Sequence, residues 1–199
     1  MIAANEVRVC MNEAGARRQP FLFGVDFELS EGFFVLDPLG QQEILFEVGG
    51  VSNSPMGEGI SGVLSEKMFS MNPMAYEVYQ EKFAVVREGV ARGDSFLLNL
   101  TVATGLDTNW TLEEIFHRAQ SPYRLLVPGR FVCFSPEIFV RMDEGMISSY
   151  PMKGTIDASV PDAERVILED YKERSEHNTI VDLIRNDLNR VAERVDVKR

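Results

Sequence analysis

The chain has 199 residues, of which 45% are hydrophobic and 26% charged, a balance that supports a folded core and excludes a disordered tail. Its 20 Lys and Arg stand against 31 Asp and Glu, and the net charge of −11 argues against a binder of nucleic-acid backbone. A small anionic substrate stays compatible, because one lysine or metal ion outweighs the global field at close range. Cys10 and Cys133 form neither a metal knuckle nor a disulfide framework and read as two free thiols of a reducing compartment. The start lacks the basic-then-apolar order of a secretion signal, and no apolar run approaches the roughly 20 residues of a spanning helix. The expectation is a cytoplasmic protein without a membrane segment.

In chain order, residues 1–72 read as a β-rich front. Phe21–Leu29, Phe33–Leu36 and Glu43–Val48 are short apolar or alternating runs punctuated by Gly, Pro and Asp, as in a meander. Gly57, Gly59 and Gly62 spell GxGxxG, but they lie in a Ser/Pro/Gly loop with Glu58 inside, where a dinucleotide site needs a preceding strand and free amides. From Pro73 to Arg92 the spacing turns helical. Tyr76, Tyr79, Phe83, Val86 and Val90 form one stripe, expected to be core. Ser95–Ala103 reads as a buried strand, and Thr111-Leu112-Glu113-Glu114 as a capped helix start. Arg124–Val127, Arg130–Phe134 and Ile138–Met142 predict strands, Asp143-Glu144-Gly145 a turn and Met146–Tyr150 a return strand. After Pro161-Asp162 the chain reads as helical, with Ile180, Leu183, Ile184, Leu188 and Val191 as its apolar face. Asp182, Arg185 and Asp187 interrupt that face and suggest buried ion pairing. Val195 and Val197 alternate with charges like the beginning of a strand without a successor, so the chain is expected to be part of a longer fold.

Three local features suit chemistry. In Ser135-Pro136-Glu137 a carboxylate sits between Phe134 and Phe139; enclosed there it would have a raised pKa and serve as a general acid, whereas at a strand edge it would simply face water. In Pro151-Met152-Lys153-Gly154-Thr155 a lysine between an apolar strand and a Gly-Thr turn suits either an amine nucleophile or a solvated strand end. Glu173, Glu176 and His177 precede a polar cluster on a helix; one carboxylate with a charged surrounding suits Mg²⁺, and the same pattern suits a solvated face. Zinc is disfavoured, because His117 is the only other histidine and lies far away in sequence.

Together these stretches resemble the chorismate-utilising enzymes, a family that includes anthranilate, aminodeoxychorismate, isochorismate and salicylate synthases. The matching motifs are GDSFLLNLT (93–101), SPY (121–123), SPEIF (135–139), PMKGT (151–155) and EHNTIVDLIRNDLNRVA (176–192), in family order. The resemblance implies an α+β fold of antiparallel sheets packed face to face with outer helices, incomplete at the C-terminus. Residues 1–199 would be the N-terminal portion of one chorismate-binding domain, with 73–199 carrying the motifs. Lysine at position 153, where other branches carry Ala, and the short front without a tryptophan-binding domain point to component I of aminodeoxychorismate synthase.

On that resemblance Lys153 would attack C2 of chorismate and Glu137 would protonate the departing C4 hydroxyl. Gly154 and Thr155 would contact the substrate, and Glu176 would hold Mg²⁺ against its carboxylate. Ammonia from a glutamine amidotransferase subunit would complete the reaction to 4-amino-4-deoxychorismate, on the route to p-aminobenzoate and folate. His177 departs from this branch and matches the anthranilate branch. The family's second metal-binding Glu and its C-terminal substrate residues have no counterpart after Ala192, so the chain alone is expected to be inactive, with open edges that favour oligomers. Anthranilate or isochorismate formation, or a non-catalytic partner-binding module, are the competing readings.

Overall fold

The computed structural model describes residues 1–54, 68–135, 137–152 and 154–197. The GxGxxG spelling at 57–62, Pro136 and Lys153 lie outside the described residues. Strands are β1 (Ile2–Ala3), β2 (Phe21–Val25), β3 (Glu31–Leu36), β4 (Leu45–Val48), β5 (Val51–Ser52), β6 (Phe69–Asn72), β7 (Gly105–Thr108), β8 (Tyr123–Val127), β9 (Phe131–Ser135), β10 (Arg141–Asp143) and β11 (Met146–Ser148). Helices are α1 (Ala4–Ala16), α2 (Tyr76–Arg92), α3 (Leu112–Arg118), α4 (Ala163–Glu169) and α5 (Tyr171–Leu188). Every strand pair is antiparallel, so helix and sheet combine in the α+β manner. The elements divide into two units, each built from two stretches of chain: residues 1–63 with 111–136, and residues 64–110 with 137–199.

The first unit holds a three-stranded sheet in the order β1-β3-β2 and a four-stranded sheet in the order β5-β4-β8-β9. Helix α1, not anticipated from the sequence, turns Val7 and Ala14 inward, two positions one heptad apart. Their approach to β3 needs glycine: a Cβ at Gly32 would lie 2.3 Å from the Gly24 carbonyl oxygen and 3.1 Å from Val7 Cγ2. In the second sheet Leu125 and Leu126 pair with Phe46 and Leu45 of β4, and with Cys133 and Val132 of β9.

Helix α3 covers this sheet. Its start is the capping box expected from sequence: Thr111 Oγ1 accepts the Glu114 N–H at 3.1 Å, and Glu114 Oε2 accepts the Thr111 N–H at 3.0 Å. Phe116 and Leu126 are fully buried. The Arg124 guanidinium lies 5.1 Å from the Phe116 ring centroid, donates to the Phe116 and Ala119 carbonyls and pairs with Glu47. The β4–β5 hairpin is braced by Asn53, whose amide donates to the Gln41 and Ile44 carbonyls and whose oxygen accepts the Phe46 N–H.

The second unit holds two two-stranded sheets, β6-β7 and β10-β11, with α2, α4 and α5. Strands β6 and β7 close the excursion that contains α2, and Thr108 Oγ1 donates to the Met68 carbonyl while Asn109 Oδ1 accepts the Met68 N–H. Helix α2 lies where its periodicity predicts, and Gly93 ends it at φ +86°. Its stripe is not a core, however: no residue of α2 is buried, and Phe83 remains 47% exposed. Residues 95–103 form no strand, and Phe96 is 92% exposed. An apolar run of this length records the capacity to be buried and does not supply the surface that buries it.

The C-terminal helical region breaks into α4 and α5 at Asp170, whose carboxylate accepts the Glu173 N–H at 2.9 Å and caps α5. Ile180, Ile184 and Leu188 share the half-buried face of α5. Leu183 and Val191 are exposed. Arg185 pairs with Asp182 one turn away, and both side chains are about half-exposed, so this is a surface pair rather than a buried one. Among the described residues no helix is long and apolar enough to cross a membrane. Cys10 and Cys133 are free thiols.

Candidate active site

The hairpin β10–β11 organises the site within the second unit. Its two-residue turn, Glu144-Gly145, has φ of +48° and +77°, the left-handed pair of a tight hairpin. The register pairs Asp143 with Met146 and Arg141 with Ser148. Continued outward with a period of two, that register sets 137 opposite 152. The chain follows it: Ser149 Oγ donates to the Phe139 carbonyl at 2.6 Å, and Glu137 Oε2 accepts the Met152 N–H at 3.2 Å. A turn legible in the sequence thereby brings the Glu137 carboxylate to the residue bonded to Lys153.

The surroundings of Glu137 match the second of its two sequence readings, a carboxylate that faces water. Strand β9 ends at Ser135, and Glu137 is exposed in a bend beyond it. Pro136 has no amide hydrogen with which to continue the ladder. Phe134 and Phe139 are also exposed and do not enclose the carboxylate. Ser121 supplies a contact that the motif reading missed, since its hydroxyl bridges the Tyr123 and Ser135 carbonyls at 2.9 and 2.8 Å. The serine of SPY therefore ties the start of β8 to the end of β9 and acts as a structural staple.

Gly154 sits at φ +83°, a conformation that glycine adopts without strain. A Cβ there would lie 2.6 Å from Glu173 Oε2 and 3.3 Å from Ile167 Cδ1, so this backbone rests directly on α4 and α5. Thr155 is exposed. Glu173 and Glu176 are one turn apart on the partly buried face of α5, beside His177. Lys172 Nζ lies 3.8 Å from Glu173 Oε1 and 3.9 Å from Glu176 Oε1, on a lysine that is itself largely exposed. Among the described residues no three His, Cys, Asp or Glu side chains gather into a metal cluster.

Comparison with known proteins bears on the family of the chain. The family described as chorismate binding enzyme matches residues 63–199. An uncharacterised PabA-like protein of Pasteurella multocida is 44% identical over 193 residues, covering 94% of this chain and 58% of that protein. One of Haemophilus influenzae is 44% identical over 189 residues, covering 94% and 56%. Aminodeoxychorismate synthase component 1 of Klebsiella aerogenes is 33% identical over 133 residues, covering 60% of this chain and 29% of that enzyme. The chain thus spans less than three-fifths of the length of these curated relatives. No solved structure matches it. On the family match and these relatives, the chain belongs to the chorismate-binding enzymes and is a partial chain related to aminodeoxychorismate synthase.

Proposed function

We propose that this chain forms part of an enzyme converting chorismate and ammonia to 4-amino-4-deoxychorismate, with Lys153 as nucleophile and Glu137 as general acid. The observation that carries this reading is the Glu137–Met152 hydrogen bond, which sets the carboxylate beside the residue bonded to the lysine. In the first step a new bond forms between the Lys153 amine and C2, both ring double bonds shift by one position, and the C4 hydroxyl leaves as water with a proton from Glu137. The proton released from the new secondary amine returns to Glu137. Ammonia then bonds to C4, both double bonds shift back, and the lysine amine departs from C2 with the proton that Glu137 regained, while the new C4 ammonium returns a proton to Glu137. The sum is chorismate plus ammonia giving 4-amino-4-deoxychorismate plus water.

The exposure of Glu137 suits a group that must exchange its proton in each turnover. Gly154 and Thr155 are the substrate-contacting pair in this reading, with a backbone amide free of side-chain bulk at Gly154. The carboxylate donors on α5 suit Mg²⁺, a hard cation that takes few protein ligands and keeps several waters. Glu176 would hold it, and the ion would supply charge neutralisation for the substrate carboxylate. A glutamine amidotransferase subunit is the proposed ammonia source, in keeping with the component 1 relatives.

The test is turnover by the whole protein with chorismate, Mg²⁺ and ammonium. Lys153→Ala should abolish formation of the 4-amino product, and Glu137→Gln should slow it by about 10² to 10⁴. His177 favours anthranilate chemistry as the second reading, with isochorismate formation as a further alternative within the family. Formation of either product, undiminished in Lys153→Ala, would establish that reading instead. Absence of Mg²⁺-dependent chorismate binding would leave a non-catalytic module.

A further inference from the structure

The carboxylate of Glu173 has a property not shared with its neighbours on α5. Its Oε2 atom is buried, yet it has no hydrogen-bond partner among the described residues. A buried acceptor left unpaired costs stability, so its placement needs a compensating reason. The geometry offers one, because the atom lies 2.6 Å from where a Cβ at Gly154 would be, and Ile167 of α4 closes the same space at 3.3 Å. Only a glycine fits between them, at a φ of +83° that other residues adopt with strain. The Gly154 backbone is therefore seated on the Glu173 side chain, one helical turn before Glu176.

We infer that Glu173 is a positioning residue: by filling the space beneath Gly154 it sets the backbone at Gly154 against the α5 face that carries Glu176. This rests on the proposed function, in which the residue before Gly154 in sequence is the nucleophile and that face bears the cation ligand. The argument is one of shape. Lys172 lies 3.8 Å from the other oxygen of Glu173 but is largely exposed and screened, so this pair contributes little to holding the carboxylate.

The test compares Glu173→Ala, Glu173→Gln and Gly154→Ala in the whole protein by steady-state kinetics with chorismate. Misplacing a reacting group by about 1 Å costs about 100-fold in rate, so Gly154→Ala should lose about that much in kcat. Glu173→Ala should lower kcat by about 10-fold with KM within about 3-fold, and the isosteric Glu173→Gln should restore most of that loss. Glu173→Gln should also leave Mg²⁺ binding, measured calorimetrically, within about 3-fold of wild type, since a positioning residue does not ligate the ion. A glutamine variant as slow as the alanine variant, or one that loses Mg²⁺ affinity by more than 10-fold, would overturn the inference. Without wild-type turnover the proposed reaction itself is refuted. The contact is then judged by urea unfolding, where additive effects of Gly154→Ala and Glu173→Ala would refute it and coupled effects would support it.

Discussion

The two units of this chain solve the problem of holding a backbone in place by different means. Every described hydrophobic residue in the buried core (Val7, Ala14, Phe33, Phe46, Phe116, Leu126 and Val127) belongs to the unit built from 1–63 and 111–136. The other unit, which carries Glu137, Gly154, Thr155 and Glu176, has no described residue in that core. Its geometry is set by local devices: a two-residue turn, a side chain accepting one amide, an N-cap, and a glycine seated on a carboxylate. Apolar burial supplies most of the stabilisation of a folded chain, whereas a single hydrogen bond contributes about 1 kcal/mol net. Positions that bear chemistry can thus be specified by short-range polar geometry, while the weight of stability lies elsewhere.

Core truncation tests that contrast most strongly. Phe116→Ala removes a fully buried ring and the surface beneath the Arg124 guanidinium, and should cost about 3–5 kcal/mol in urea unfolding. Phe83→Ala on α2 should cost less than about 1 kcal/mol, because half of that ring is already in solvent. Equal losses for the two would mean that the α2 face is covered in the protein as it exists, and the contrast would collapse. Asn53→Ala should come next, at about 2 kcal/mol in the same assay, since it removes the side-chain partner of the Phe46 N–H and of the Gln41 carbonyl, while the Ile44 carbonyl keeps the Gln41 amide.

Smaller effects sharpen the comparison at the level of single caps. Thr111→Ala should cost about 1 kcal/mol by removing one half of the α3 capping box. Asp26 gives the smallest effect, and its signature is a dependence on pH. The Ser30 hydroxyl, together with the Ser30 and Glu31 amides, holds its carboxyl below the usual 3.8. A depressed folded pKa means that its stabilisation is present above about pH 3.8 and is lost as pH falls through the folded value. Asp26→Asn should remove this part of the acid dependence, and a pH series of thermal midpoints between 2 and 5 that remains superimposable on wild type would contradict the assignment.

Legibility in the sequence followed the range of the interaction. Thr111 with Glu114, the Glu144-Gly145 turn and the 3.6-residue rhythm of α2 are local codes, and each predicted element lies within a few residues of its place. Helix α1 escaped notice because only Val7 and Ala14 turn inward and the rest of its surface is polar. The run 95–103 misled in the opposite direction, since its composition suits a buried strand but the chain leaves it irregular and mostly exposed. For the site, the Asp143-Glu144-Gly145 turn between two expected strands already implied the hairpin that follows Glu137. The enclosure of Glu137 by aromatic rings did not follow from having those rings as neighbours in sequence.

The sequence by itself determined the family, the antiparallel α+β character, the starts of α2 and α3 and the turn that sets Glu137 opposite Met152. All of these depend on residues within a few positions of one another or on a motif copied as a unit. Tertiary structure alone decided that Phe116 is core while Phe83 is not, that Glu137 faces solvent, and that the Glu173 carboxylate lies under Gly154. Burial and close approach depend on which surfaces from distant parts of the chain meet, and periodicity along one segment carries no information about the segment that will cover it.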